Sequence, residues 1–196
     1  AMYARSSLML FVNVFLFLSL VLSFPGISHP VEVVSFIRRI TGDDMKKVSS
    51  VMVDQSGYIY VLNRGKDQIQ VLDPTGKTTR FLGKGKGSEP GQFRNPRGLI
   101  MGKEGNIYVS DTGNHRIQVF APNGGLLMTI GEKGSDKGEF SCPVGLAVDE
   151  LQNIYVADSG NNRVQAFSRH GIFVMTFGEK GERISQFKDP TGIAVD

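Results

Sequence analysis

Cysteine is nearly missing from this 196-residue chain, with Cys142 alone. That excludes an internal disulfide and any multi-cysteine zinc or iron–sulfur centre within one chain. There is no tryptophan, and His29, His115 and His170 are the only histidines, little material for a histidine metal centre. No stretch after Pro30 has sustained helical periodicity. The sequence lacks a G-x-S-x-G elbow, an H-E-x-x-H pair, an EF-hand loop and an N-x-[ST] sequon. Gly83-Lys84-Gly85-Lys86-Gly87 lacks the spacing of a phosphate loop, and Gly76-Lys77-Thr78 lacks the upstream glycine. Charge of one sign is also scarce. The formal net charge is +3, from 22 Lys and Arg against 19 Asp and Glu, too small an excess to make a strong field.

Charge is almost absent from residues 1–28, where Arg5 is the sole charged side chain. Leu8 to Phe24 is apolar except for Asn13, Ser19 and Ser23, and Pro25-Gly26 closes the run. A positive start, an apolar stretch and small residues after it make a secretory signal, expected as a helix, with cleavage after Ser28 or Ser23. An uncleaved membrane anchor through residues 8–24 is the alternative. Either reading puts the remaining chain outside the cytoplasm. Residues 29–50 then form a linker and an outer or closing strand.

What is abundant is repetition. GYIYVLN at Gly57–Asn63, GNIYVSD at Gly105–Asp111 and QNIYVAD at Gln152–Asp158 recur at steps of 48 and 47 residues. GLIM, GLAV and GIAV begin at Gly98, Gly145 and Gly192. IQVL, IQVF and VQAF begin at Ile69, Ile117 and Val164. Phe93, Phe140 and Phe187 keep the same step, as do Pro96, Pro143 and Pro190. Each repeat holds four short apolar stretches separated by turn residues. In the second they are Leu99–Met101, Ile107–Ser110, Ile117–Phe120 and Leu126–Ile130. Strand composition with such punctuation predicts four-stranded antiparallel units over residues 51–196. The fold class is all-β: about three β-propeller blades and the first strand of a fourth.

The linked pattern PxGLAVD, GNIYVAD, NxRIQVF and GxxxGxF resembles the NHL repeat family. Pro143–Asp149, Asn153–Asp158, Asn161–Phe167 and Gly134–Phe140 carry it, and the resemblance covers residues 36–196. It implies a propeller, usually of six blades, that binds protein, peptide or RNA, with metal-dependent lyases among its relatives. The closed ring then needs a longer chain, with Phe36–Gly42 (FIRRITG) as a strand that latches it. A chain ending at Asp196 would instead close by dimerising.

Packing accounts for most repeated residues, with Phe93, Phe140 and Phe187 expected to plug the gaps between blades. Cys142 is expected to be small and buried. Asp111 with Arg116, and Asp158 with Arg163, flank four-residue loops, and the first repeat has Asn63 and Gln68 there. Both charges change together, which predicts an ion pair across each hairpin.

Strand alternation puts these hairpin loops on one face with the blade-to-blade linkers. The candidate binding residues there are Arg64, Lys84, Lys86, Arg94, Arg97, His115, Arg116 and Arg163. Acidic linker residues such as Glu89, Asp136 and Glu139 share the face. That mixture favours a protein, peptide or glycan partner over nucleic acid, which needs excess cations and aromatic platforms. His115 and His170 are expected to be exposed and to fall in loops on opposite faces, too far apart for one metal. No cofactor is expected. The reading is an exported, non-enzymatic binding or sensing propeller. The alternatives are a metal-dependent lyase or lactone hydrolase with ligands in further blades, and an RNA-binding propeller.

Overall fold

The computed structural model describes strands Val14–Leu22 and Val31–Ile40, residue 45 and residues 47–195. It divides into two units, Ala1–Met45 and Lys46–Asp196. In the first, β1 (Val14–Leu22) pairs antiparallel with β2 (Val31–Ile40). This corrects the helix expected for the N-terminal apolar run. A run so nearly all apolar has no period that separates helix from strand, and Val and Phe favour strands. Among the described residues, no helix is long and apolar enough to cross a membrane. Phe36–Ile40, expected as a blade-closing strand, belongs to β2 and pairs with β1. Ser23, Ser28, His29 and Gly42, invoked for cleavage, a metal or the closing strand, lie outside the described residues.

The second unit holds three four-stranded antiparallel meanders. The first is β3 (Val48–Val53), β4 (Ile59–Asn63), β5 (Gln68–Leu72) and β6 (Thr78–Leu82). The second is β7 (Gly98–Met101), β8 (Ile107–Asp111), β9 (Arg116–Phe120) and β10 (Leu126–Ile130). The third is β11 (Pro143–Val148), β12 (Ile154–Asp158), β13 (Arg163–Phe167) and β14 (Phe173–Phe177). After β14, β15 (Glu179–Lys180) pairs in parallel with β16 (Gln186–Phe187). The two earlier linkers repeat that parallel bridge, as Lys86 to Phe93 and Lys133 to Phe140.

The core lies between blades. Tyr60, Leu62, Ile69, Val71 and Leu82 of the first meet Leu99, Ile107, Val109 and Phe120 of the second around Phe93. Tyr108, Ile117, Val119 and Ile130 of the second meet Leu146, Ile154, Val156 and Phe167 of the third around Phe140. Phe93 and Phe140 are both wholly buried, as plugs should be. Their rings stand 5.6 Å from Phe120 and 5.5 Å from Phe167. Each outer strand ends on a glycine in the left-handed region, Gly83 (φ 89°) and Gly131 (φ 80°). A Cβ on either would collide with the plugging phenylalanine. The glycine–phenylalanine spacing is thus a steric pair. On the flank beyond the third blade, Phe177 is 42% exposed where the equivalent Ile130 is 4% exposed.

The first strands of the blades converge, β3 against β7 and β7 against β11. A Cβ on Gly98 would strike the Val144 carbonyl oxygen, and one on Gly145 the Thr191 carbonyl oxygen. Hydroxyls tie the blades here. Ser110 Oγ accepts from Gly98 N at 2.6 Å and donates to Val144 O at 2.7 Å. Ser49 Oγ donates to Pro96 O at 2.9 Å and Thr112 Oγ1 to Pro143 O at 2.7 Å.

Candidate binding face

Both expected ion pairs form. Arg116 Nε lies 2.8 Å from Asp111 Oδ2, and Arg163 Nε lies 2.9 Å from Asp158 Oδ2. Both carboxylates are fully buried, while the arginines keep 14% and 13% of their side-chain exposure. A buried charge must have its lone pairs filled as well as its charge balanced. Asp111 Oδ2 also accepts from Asn114 Nδ2 at 2.8 Å and Gln118 Nε2 at 3.0 Å, and Oδ1 from Arg94 N at 2.7 Å. Asp158 repeats the set with Asn161, Gln165 and the backbone N–H of Ser141.

These side chains also hold the linkers. Arg116 Nη2 donates to the carbonyls of Glu89 and Gln92, both at 3.0 Å. Arg163 donates to the carbonyls of Ser135, Asp136 and Glu139 at 2.7–2.8 Å. Gln118 takes Gly91 N on its oxygen and gives its amide to Gln92 O, and Gln165 does the same with Gly138 N and Glu139 O. The linkers ahead of the second and third blades are therefore clamped at their backbones, and most of their charged side chains face outward. Arg116 and Arg163, offered as ligand contacts, are engaged inside the fold.

A second repeated contact joins hairpin to linker. Asp67, His115 and Asn162 all sit in the left-handed region at the hairpin ends, and Asn95, Cys142 and Asp189 do so in the linkers. The hairpin side chain accepts from the linker N–H each time: Asp67 Oδ1 from Asn95 at 2.8 Å, His115 Nδ1 from Cys142 at 3.2 Å, Asn162 Oδ1 from Asp189 at 2.9 Å. Accepting at Nδ1 fixes the neutral imidazole with its proton on Nε2. Burial, then the nearby Lys133 charge, lowers the His115 pKa, against smaller opposing effects of Asp158 and Asp111. His115 is thus half-buried rather than exposed. Cys142, expected to be buried, is exposed, because its left-handed linker position turns it outward.

Of the remaining candidates, Arg64, Lys86 and Arg94 meet Lys47 and Asp67 around one shallow recess. Arg97 and His115 line a second, with Asn95, Thr112, Cys142 and Asp189. Lys84 stands apart from both, its stem alongside Gly91. Arg94, Arg97, Lys84 and Lys86 are exposed. His170 lies in the β13–β14 loop on the opposite face, so the two histidines do not meet. Among the described residues, no three His, Cys, Asp or Glu side chains gather to hold a metal ion.

The NHL repeat model matches residues 93–120 and 140–167. Each matched span runs from a plugging phenylalanine to the end of a third strand and includes the buried aspartate network. Two of the three blades thus match the NHL repeat over their plug, hairpin and third strand. Solved structures extend the likeness as fold alone. A protein of unknown function from Bacteroides thetaiotaomicron aligns with TM-score 0.65 and 20% identity over 84% of this chain and 46% of its own. A catalytically inactive virginiamycin B lyase from Staphylococcus aureus, with quinupristin, aligns with TM-score 0.59 and 13% identity over 91% and 49%. A gluconolactonase from Xanthomonas campestris aligns with TM-score 0.55 and 20% identity over 76% and 52%. The chain spans about half the length of these structures. Comparison with curated proteins gives no significant match.

Proposed function

We propose that this chain is a non-enzymatic binding module that takes a protein or peptide partner on the face of linkers and β4–β5, β8–β9 and β12–β13 hairpins. The observation that carries the reading is the clamping of linker backbones by Arg116, Arg163, Gln118 and Gln165. A preorganised loop surface pays little ordering entropy on binding. The side chains it presents are of both signs, with Arg94 and Arg97 beside the Asn95 and Asp189 backbone turns. That suits a partner that also carries both signs, and it disfavours a polyanion. The whole protein is read as exported, on the apolar run of residues 8–24.

The test is selection of peptides from a random displayed library on the full chain, followed by titration against Arg97→Glu. The expected result is enriched peptides whose affinity falls about tenfold with the charge reversal, as for a rim-to-core interface charge. Enriched peptides indifferent to that change would place the binding surface elsewhere. Metal-dependent hydrolysis or elimination by the same preparation would overturn the non-enzymatic reading.

A further inference from the structure

The opposite face contains a break in the repeat. In the first and third blades the first turn opens on an aspartate that receives a tyrosine hydroxyl. Tyr60 donates to Asp54 Oδ2 at 3.3 Å and Tyr155 to Asp149 Oδ2 at 3.2 Å. The second blade has Gly102 at that position, so Tyr108 has no such carboxylate. In its place stands Gln152, from the left-handed turn of the third blade (φ 65°). A Cβ on residue 102 would fall 2.6 Å from Gln152 Oε1. Gln152 is 7% exposed, and its Oε1 is buried and accepts no hydrogen bond among the described residues. A buried carbonyl left open in this way is uncommon in native proteins.

Both groups line a recess of about 360 Å³ between the second and third blades. Burial, then the Glu104 charge, pushes the Tyr108 hydroxyl above its usual pKa, so it is a donor at neutral pH. Glu104 and Arg169 bring one charge of each sign to the rim, and Arg169 Nε donates to His170 Nε2 at 3.1 Å. Leu127, 55% exposed, and Met128 form an apolar wall. The recess thus offers a donor and a cation, an acceptor and an anion, and a hydrophobic strip.

We propose that this recess binds a free amino acid with an apolar side chain. Its carboxylate enters from the recess side to take the Tyr108 hydroxyl, whose counterparts Tyr60 and Tyr155 donate to aspartates, and faces Arg169. Its ammonium faces Glu104 and takes Gln152 Oε1 by a side-chain rotation that turns that oxygen into the recess, and its side chain lies on Leu127 and Met128. The site is independent of the linker face, so either reading can fail alone.

The test is an NMR chemical-shift titration of the full chain with L-leucine, with N-acetyl-leucine and leucinamide as separate arms. Saturable shifts with leucine are expected, about tenfold weaker for each analogue, since each leaves a built polar group unmatched. Tyr108→Phe, which removes no hydrogen bond among the described residues, should keep a dispersed amide spectrum and weaken leucine by a similar factor. Gly102→Asp should abolish binding by restoring the carboxylate of the other blades. If that variant fails to fold, Tyr108→Phe decides. Absence of saturable shifts, equal binding of the analogues, or unchanged affinity in Tyr108→Phe would overturn the proposal.

Discussion

Arg116 Nε approaches Asp111 Oδ2 at 2.8 Å, and that carboxylate has no solvent exposure at all. The pair does more than neutralise itself, because the guanidinium continues to the Glu89 and Gln92 carbonyls. In the second and third blades one hairpin thereby fixes the linker that leads into it.

Removing one partner is therefore expected to be costly. Asp111→Ala or Asp158→Ala should lose about 3–5 kcal/mol by leaving a partly buried arginine unpaired. The double change Asp111→Asn with Arg116→Gln copies Asn63 and Gln68 of the first blade. It should be far milder than the sum of its singles, with a coupling of about 1–3 kcal/mol in urea unfolding. Additive singles would show that the two residues act separately.

The plugging ring and the glycine beneath it form one steric unit. Phe140→Ala should cost about 3–5 kcal/mol through the cavity it leaves. Gly131→Ala should destabilise by about 1–3 kcal/mol, from a positive φ and a Cβ in the Phe140 ring. Thermal unfolding measures both. A neutral Gly131→Ala would mean that the ring moves freely.

His115 gives the fold a pH dependence whose sign follows from its environment. Its folded pKa lies below the ordinary imidazole value of 6.5, so the unfolded chain binds the proton more readily. The stability it contributes is fully present above about 6.5 and is lost as pH falls through the lower folded value. His115→Asn copies Asn162, which makes the same contact with Asp189 N. That variant should lose the His115 part of the fall in melting temperature between neutral and mildly acidic solution. An unchanged profile would remove His115 as a contributor.

Much of this was legible in the sequence, because blades repeat and chance does not hold a register. The coupled change from Asp111 and Arg116 to Asn63 and Gln68 exposed the ion pairs, and Phe93 and Phe140 announced the plugs. Gln118 and Gln165 were missed as carboxylate partners, since they alternate with apolar neighbours like any strand residue. Their signal was available: a glutamine recurs at this position in all three blades, as Gln70, Gln118 and Gln165, and each is buried. The contact shared by Asp67, His115 and Asn162 was hidden because three different side chains perform it. What joins them is a backbone conformation with no single-letter signature. The strand Val14–Leu22 was not legible as one, because an apolar run broken only by Ser19 has no face to read.

The central claim is that the clamped linker face takes a protein or peptide partner. It is tested most directly by the affinity of library-selected peptides for the wild-type chain and for Arg97→Glu. A drop of about tenfold, with unchanged thermal unfolding, is the result the account predicts. Equal affinity for both, or no selected peptide at all, would contradict it.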